Sequence, residues 1–312
     1  MNIMRNIIFI IIATLTLLAT SSTEGSAQQD PMFTQYFFNP LTVNSGYAGT
    51  REALNATLLI REQWAGMEGR PRTQTLSVHS PLRNDDLAIG GTIVRDEVGP
   101  TNSTSLFGDF SYRIKVSEQS RLALGLKAGM NFMQADLARL QNTDPNDLSL
   151  AQSITTNVLP NFGVSAYLWA DRYFLGISAP KLLENKLDNA IENLRGEERT
   201  HFFFMGGYVF DLSPALKFKP TFMTRVVSDA PVSFDLTANF LLDEKLWLGI
   251  MCRFGDSMGL LASYQLTDQL RAGYSYDYTL SKLQSYNGGS HEFMLSYDFF
   301  FKNDRLLSPR FF

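Results

Sequence analysis

The chain has 312 residues, of which 45% are hydrophobic, 19% charged and 12% aromatic, with a formal net charge of −4 and one cysteine. A mean hydropathy near zero excludes a polytopic helical membrane protein, which needs several runs of about 20 apolar residues, but not a β-barrel, where apolar residues only alternate with polar ones. The mild acidity gives no support to nucleic-acid binding, and Cys252 alone excludes an intramolecular disulfide.

Residues 1–27 have the features of a secretory signal peptide. Arg5 supplies the positive start, and 7–18 is an apolar run interrupted only by threonines. Gly25, Ser26 and Ala27 put small side chains at −3 and −1 for cleavage before Gln28. The run is short for a membrane span, and no cysteine follows it to make a lipoprotein. Residues 28–51 come next, as a periplasmic or lumenal segment. Phe33, Tyr36, Phe37, Phe38, Pro40 and Tyr47 make it too aromatic for a disordered tail. It must bury in a lumen, on a partner or under a barrel mouth.

From 52 to 301 the pattern is alternation. In 105–116, Leu106, Phe110, Tyr112 and Ile114 share one face, and Asp109, Ser111, Arg113 and Lys115 the other. In 232–242, Phe234, Leu236, Ala238 and Phe240 oppose Asp235, Thr237 and Asn239. Period two over such lengths predicts strands with one apolar and one polar face. Fourteen such segments occur: 53–63, 72–80, 87–96, 104–116, 121–133, 158–169, 173–179, 201–211, 215–226, 232–242, 246–253, 257–266, 270–279 and 291–300. Pro220 inside one of them is a tension, because proline cannot donate to a ladder. Connections after even-numbered strands are short and polar. After odd ones they are longer (64–71, 97–103, 134–157, 180–200, 227–231, 280–290), with 254–256 the exception. That asymmetry is the outer-membrane pattern of short periplasmic turns and long outer loops. The expectation is an all-β, antiparallel outer-membrane barrel of about 14 strands, both termini periplasmic, with 302–312 as a C-terminal periplasmic tail. A secreted β-sandwich also alternates, but predicts neither the loop asymmetry nor so many strands of nine or more residues.

Tyr167, Trp169, Tyr173, Trp247, Tyr264, Tyr297 and Phe299 lie near strand ends and suit interfacial girdles. The polar face is mixed in sign: Asp109, Arg113, Lys115, Lys127, Lys217, Lys219, Arg225, Asp235, Arg253, Arg271, Asp277 and Glu292. A wide pore would leave these charges hydrated, and a plugged barrel would pair them. Cys252 shares the lipid-facing parity of Leu246, Leu248 and Ile250.

Catalytic and metal signals are poor. His79, His201 and His291 are far apart, and pairing His79 with Ser77 or His291 with Ser290 is a weak motif for a barrel lipase. No cluster has metal-ligand spacing, and no P-loop or dinucleotide fingerprint occurs. Residues 142–147 loosely resemble a calcium loop but lack its glycine and terminal glutamate. The expectation is no enzyme, no cofactor and no metal.

Several motifs carry a family resemblance. Gln29-Asp30-Pro31, Gln35-Tyr36-Phe37-Phe38-Asn39-Pro40 and Tyr47-Ala48-Gly49 open the mature chain. Arg61-Glu62-Gln63-Trp64-Ala65-Gly66 precedes a stretch from Gly69 to Leu82. Leu175-Gly176-Ile177-Ser178-Ala179-Pro180 follows, then Tyr274-Ser275-Tyr276-Asp277, Leu280-Ser281-Lys282 and the run from Gly289 to Tyr297. In this order they resemble the PorP/SprF family of type IX secretion membrane proteins. The loops 134–157 and 180–200 match nothing in that pattern.

The resemblance implies an outer-membrane barrel serving type IX secretion and, in some bacteria, gliding motility. Family members are either core components tied to the periplasmic ring and a peptidoglycan-binding lipoprotein, or dedicated partners of one secreted adhesin-like protein with a type B C-terminal domain. As partner-contact candidates we take Tyr36, Asn39 and Tyr47 in the N-terminal segment, Trp64, Arg70 and Arg72 at the 61–80 hairpin, and Arg310 in the tail. Trp and Arg recur as interface hot spots. Trp64 equally suits a girdle, and the arginines solvated loop charges. The alternative function is a passive or ligand-specific pore, which requires an open lumen. The outward face requires outer-membrane lipid.

Overall fold

The computed structural model describes residues 31–136, 158–187, 196–228 and 230–299. The expected signal peptide (1–27), the calcium-like stretch (142–147) and the tail with Arg310 lie outside the described residues. The first seven strands are β1 (Leu54–Glu62), β2 (Arg72–Pro81), β3 (Leu87–Val98), β4 (Thr101–Lys115), β5 (Ser120–Ala135), β6 (Val158–Ala170) and β7 (Tyr173–Ala179). A small pair follows, β8 (Lys186–Leu187) and β9 (Gly196–Glu197), then β10 (His201–Tyr208), β11 (Phe210–Ser213) and β12 (Leu216–Val227). The last five are β13 (Ser233–Leu242), β14 (Leu246–Arg253), β15 (Ser257–Gln265), β16 (Leu270–Thr279) and β17 (Ser290–Phe299).

Neighbours in the chain pair antiparallel. Pairing of β1 with β17, and of β7 and β12 with β10, closes the sheet on itself. β8 and β9 pair only with each other, and β11 continues β10 past Val209, so the ring has fourteen staves. This is the closed antiparallel barrel that the alternation predicts. The faces fall as expected too. Leu126, Ile250 and Leu260 point outward at 58%, 54% and 63% exposure, while Lys127, Lys219, Arg253 and Glu292 point inward at 3% or less. Cys252 keeps the outward parity and pairs across the ladder with Leu236 and Met258, both exposed.

Pro220 is accommodated at a gap in the ladder. Pairing of β10 with β12 runs to Gly207↔Thr221 and resumes with β11 at Phe210↔Phe218, so the missing donor lies where the bonds are already interrupted.

The connections at one rim differ from expectation. β3 and β4 extend to Val98 and Thr101, leaving only Gly99 and Pro100 where a loop over 97–103 was expected. Gly99 adopts φ of 56°, which a tight turn requires and a side chain disfavours. β4 and β5, with 15 and 16 residues, exceed the roughly 9–11 that cross a bilayer. Beyond the bilayer the outward face need not be apolar, so polar residues there mimic a loop while still pairing. The long-loop rim therefore carries two tight turns, at 99–100 and 254–256, among its long connections.

The expected periplasmic placement of both termini concerns residues outside the described ones. The described chain begins at the long-loop rim, where Thr34 meets Glu292 near the start of β17, and runs through the lumen to the short-turn rim, where β1 begins. β17 ends at the short-turn rim with Phe299. Pro31 and Phe299 thus sit at opposite rims.

A charge on the outward face tests this assignment. Leu260→Arg is expected to destabilise folding into lipid vesicles by about 2–4 kcal/mol, read from urea titrations. The exchange Ser296→Thr, on the inward face, is expected to change it by less than about 1 kcal/mol.

Candidate functional site

The barrel interior is filled by its own chain. Residues 31–50 form three short 3-10 turns, Tyr36–Phe38, Pro40–Thr42 and Ser45–Tyr47. Pro40 opens the second with its fixed φ, and the Asn44 side chain accepts from Gly46 N to start the third. Such turns leave backbone groups without intrasegment partners, and the barrel wall supplies them.

Near the long-loop rim, Glu292 accepts from both Thr34 N and Gln35 N at 2.8 Å. The Thr34 hydroxyl donates to Asp277 and accepts from Arg61 at 2.8 Å. Arg61 bridges the two carboxylates, 2.7 Å from Asp277 and 3.1 Å from Glu292, and all three side chains are buried. Arg253 holds Asp235 at 2.8 Å and donates to Phe33 O at 3.3 Å. Halfway down, Lys127 pairs with Asp109 at 2.8 Å and donates to Leu41 O. Asn39 donates to Ser77 at 3.0 Å. Lower still, Ser45 and Ser165 hydroxyls are 2.7 Å apart, Asn44 donates to Ala166 O, and Gly49 N donates to His79 Nδ1 at 3.0 Å. Gly125 on β5 makes room: a Cβ there would lie 2.3 Å from Gly46 N.

Apolar packing supplies the rest. Phe38 meets Trp247 edge-on at 6.0 Å, and Tyr47 meets Tyr167 at 5.6 Å and His79 at 5.3 Å. Lys219, fully buried, lies 5.0–6.0 Å from the ring centroids of Trp247, Phe37, Phe38 and Phe174, a cation–π arrangement strengthened by exclusion of water. A cavity of about 130 Å³ remains beside the plug, bordered by Val43, Phe107, Lys127, Asn131 and Phe203.

This geometry corrects part of the girdle expectation. Tyr167 and Trp247 are 1% and 2% exposed and face inward, and Trp169 packs against the same internal cluster. Their strand parity is that of Asn161 and Arg253, so the sequence carried the signal. Tyr173, Tyr264, Tyr297 and Phe299 keep outward parity near the short-turn rim. Among the lumenal charges Asp109 pairs with Lys127, Asp235 with Arg253, and Asp277 and Glu292 with Arg61, as a plugged barrel requires, while Lys219 lies among rings and Lys115 sits exposed at the rim beside Glu118.

Of the partner-contact candidates, Tyr36, Asn39 and Tyr47 are buried in the plug. Trp64 lies on the 63–71 loop, half-buried, with its N–H donating to Ser290 Oγ at 3.2 Å. Arg70 and Arg72 are largely exposed and share Glu62, each at 3.4 Å. Sequence reasoning did not single out Arg61, Thr34 and Ser165 as wall or plug contacts. For Arg61 the available signal was its shared parity with Asn55 and Thr57. The histidines stay dispersed: His79 and His201 are lumenal, whereas His291 lies on the outer face against Tyr274. Among the described residues, no group of three or more His, Cys, Asp or Glu could hold a metal ion.

The family model for type IX secretion system membrane protein PorP/SprF matches residues 25–297. No curated protein matches the sequence. Among solved structures, a FadL homologue of Pseudomonas aeruginosa is similar at 14% identity and a TM-score of 0.43, over 80% of this chain and 89% of that one. The CymD monoaromatic hydrocarbon channel aligns at 12% identity and 0.46, over 80% and 89%. The NanC porin aligns at 11% and 0.41, over 80% and 100%.

Removing Glu292 strands the Arg61 guanidinium's second carboxylate contact and two plug N–H groups. Glu292→Ala is expected to cost about 3–5 kcal/mol in urea unfolding, and to expose residues 31–50 to limited proteolysis before the barrel itself is cut.

Proposed function

Because the chain belongs to the PorP/SprF family of type IX secretion membrane proteins, we propose that it serves that machinery as a non-enzymatic outer-membrane barrel, either a membrane anchor or the adaptor of one secreted surface protein. The observation that carries this reading is the filled lumen. A permanently open, passive pore does not fit an interior occupied by Phe33, Tyr36, Phe37, Phe38, Leu41 and Tyr47. With lipid on the outer face and the plug inside, contacts with other proteins fall to the rims.

The long-loop rim offers a braced surface. Ala65 N donates to Gly289 O at 2.7 Å, and Gly288 N donates back to Ala65 O at 2.7 Å, tying the 63–71 and 280–289 loops across the closure of the barrel. Trp64, Arg70 and Arg72 are carried on this brace. By the outer-membrane pattern that rim faces outward, so these residues suit a secreted, adhesin-like cargo with a type B C-terminal domain. The short-turn rim suits the periplasmic ring and a peptidoglycan-binding lipoprotein. Gliding motility would depend on the chain wherever the cargo is a motility adhesin.

Deletion of the gene followed by proteomics of secreted and surface protein tests this reading. Loss of one secreted protein identifies an adaptor, and loss of many a core component. An unchanged set of type IX substrates contradicts both. In the adaptor case, Trp64→Ala with Arg70→Ala and Arg72→Ala is expected to lower cargo recovery in outer-membrane pull-downs at least about tenfold, the scale of hot-spot truncation, with barrel abundance unchanged.

A further inference from the structure

The plug and the wall differ in a way that bears on whether the plug is permanent. Residues 31–50 contain no Asp, Glu, Lys, Arg or His. Three groups of buried ion pairs beside them join staves: Arg61 with Asp277 and Glu292, Lys127 with Asp109, and Arg253 with Asp235, while Arg51, just past the segment, faces Asp298 of β17 at 3.8 Å. Withdrawal of residues 31–50 therefore leaves these stave-to-stave pairs intact, although Lys219 gives up its contacts with the Phe37 and Phe38 rings.

The plug is also not woven into the sheet. Among the described residues, no backbone–backbone hydrogen bond joins 31–50 to a stave. Its attachments run through side chains such as Glu292, Ser165 and Asn44, so its departure breaks no ladder bond. The wall it covers mixes apolar side chains, such as Phe174, Trp247 and Met294, with polar ones. Thr75, Ser178, Ser263 and Ser275 face inward, fully buried, with hydroxyls that have no protein hydrogen-bond partner while the plug is seated. Such groups gain hydrogen bonds when the plug leaves and water enters.

We propose that the barrel is a gated pore. Residues 31–50 are the gate, and their displacement opens a water-filled channel for small hydrophilic solutes. The staves carry seven buried basic and five buried acidic side chains inside, so the channel prefers anions. This activity does not depend on the secretion role proposed above.

The test is conductance of the full-length protein in planar bilayers in a potassium chloride gradient. At rest the protein is silent. In urea below the concentration that unfolds the barrel, it gives discrete current steps with a reversal potential displaced toward chloride. Silence up to barrel unfolding overturns the proposal, and steps that favour potassium overturn its selectivity. Assignment of the steps to the gate uses Ser45→Cys with Ser165→Cys in a Cys252→Ser background, since the two hydroxyls are 2.7 Å apart. The oxidised form is expected to open at least tenfold less often than the reduced form, and equal opening in both overturns the proposal. Should that variant not fold, a chain lacking residues 31–50 serves instead. Folded and conducting without urea, it supports the gate; folded and silent, it contradicts it.

Discussion

In a closed sheet whose outer face is given to lipid, an inward polar side chain can find partners only within the cylinder. Fourteen staves enclose more space than wall side chains alone can fill. Buried charge without a partner is costly, as is buried backbone without a hydrogen bond. Ion pairs between staves answer the first demand, and contacts between the wall and one segment, the plug, answer the second. The plug occupies the space, and its turn-rich backbone takes up wall donors and acceptors. Glu292 shows the economy of this arrangement: one carboxylate neutralises Arg61 and accepts from two consecutive plug amides.

Much of this was legible in the sequence, for a physical reason. The lipid boundary imposes period two on every stave, so residue parity alone places Leu260 outside and Lys127 inside. The aromatic density of 28–51 likewise announced a segment that had to be buried. What the sequence hid was geometry beyond parity. Nothing local says that the plug runs from the long-loop rim to the short-turn rim, because that path is set by distant contacts such as Thr34 with Glu292 and Ser45 with Ser165. The rim ends of β3 and β4 were hidden differently. Outside the bilayer the apolar half of the alternation is no longer required, and Glu97, Val98 and Thr101 to Ser103 look like a loop although they pair around the Gly99–Pro100 turn. Trp247 and Tyr167 show the opposite error. Their place near strand ends suggests the membrane interface, yet their parity with Arg253 and Asn161 puts them inside.

The same constraint shapes how the protein works. A barrel filled by its own chain presents to other proteins only its rims and whatever its loops hold in place. The brace between the 63–71 and 280–289 loops spans the β1–β17 closure, so a partner bound there would rest on the seam of the barrel rather than on one free hairpin. The three candidates buried in the plug, Tyr36, Asn39 and Tyr47, pack against the barrel's own wall.

Hydrogen exchange across residues 33–48 tests the filled lumen most directly. With the protein in vesicles at rest, amides of this segment should exchange as slowly as those of β5 and β6, because the wall and the packed rings enclose them. Exchange as fast as in the exposed 63–71 loop would contradict a seated plug, and with it the account of how this barrel satisfies its interior.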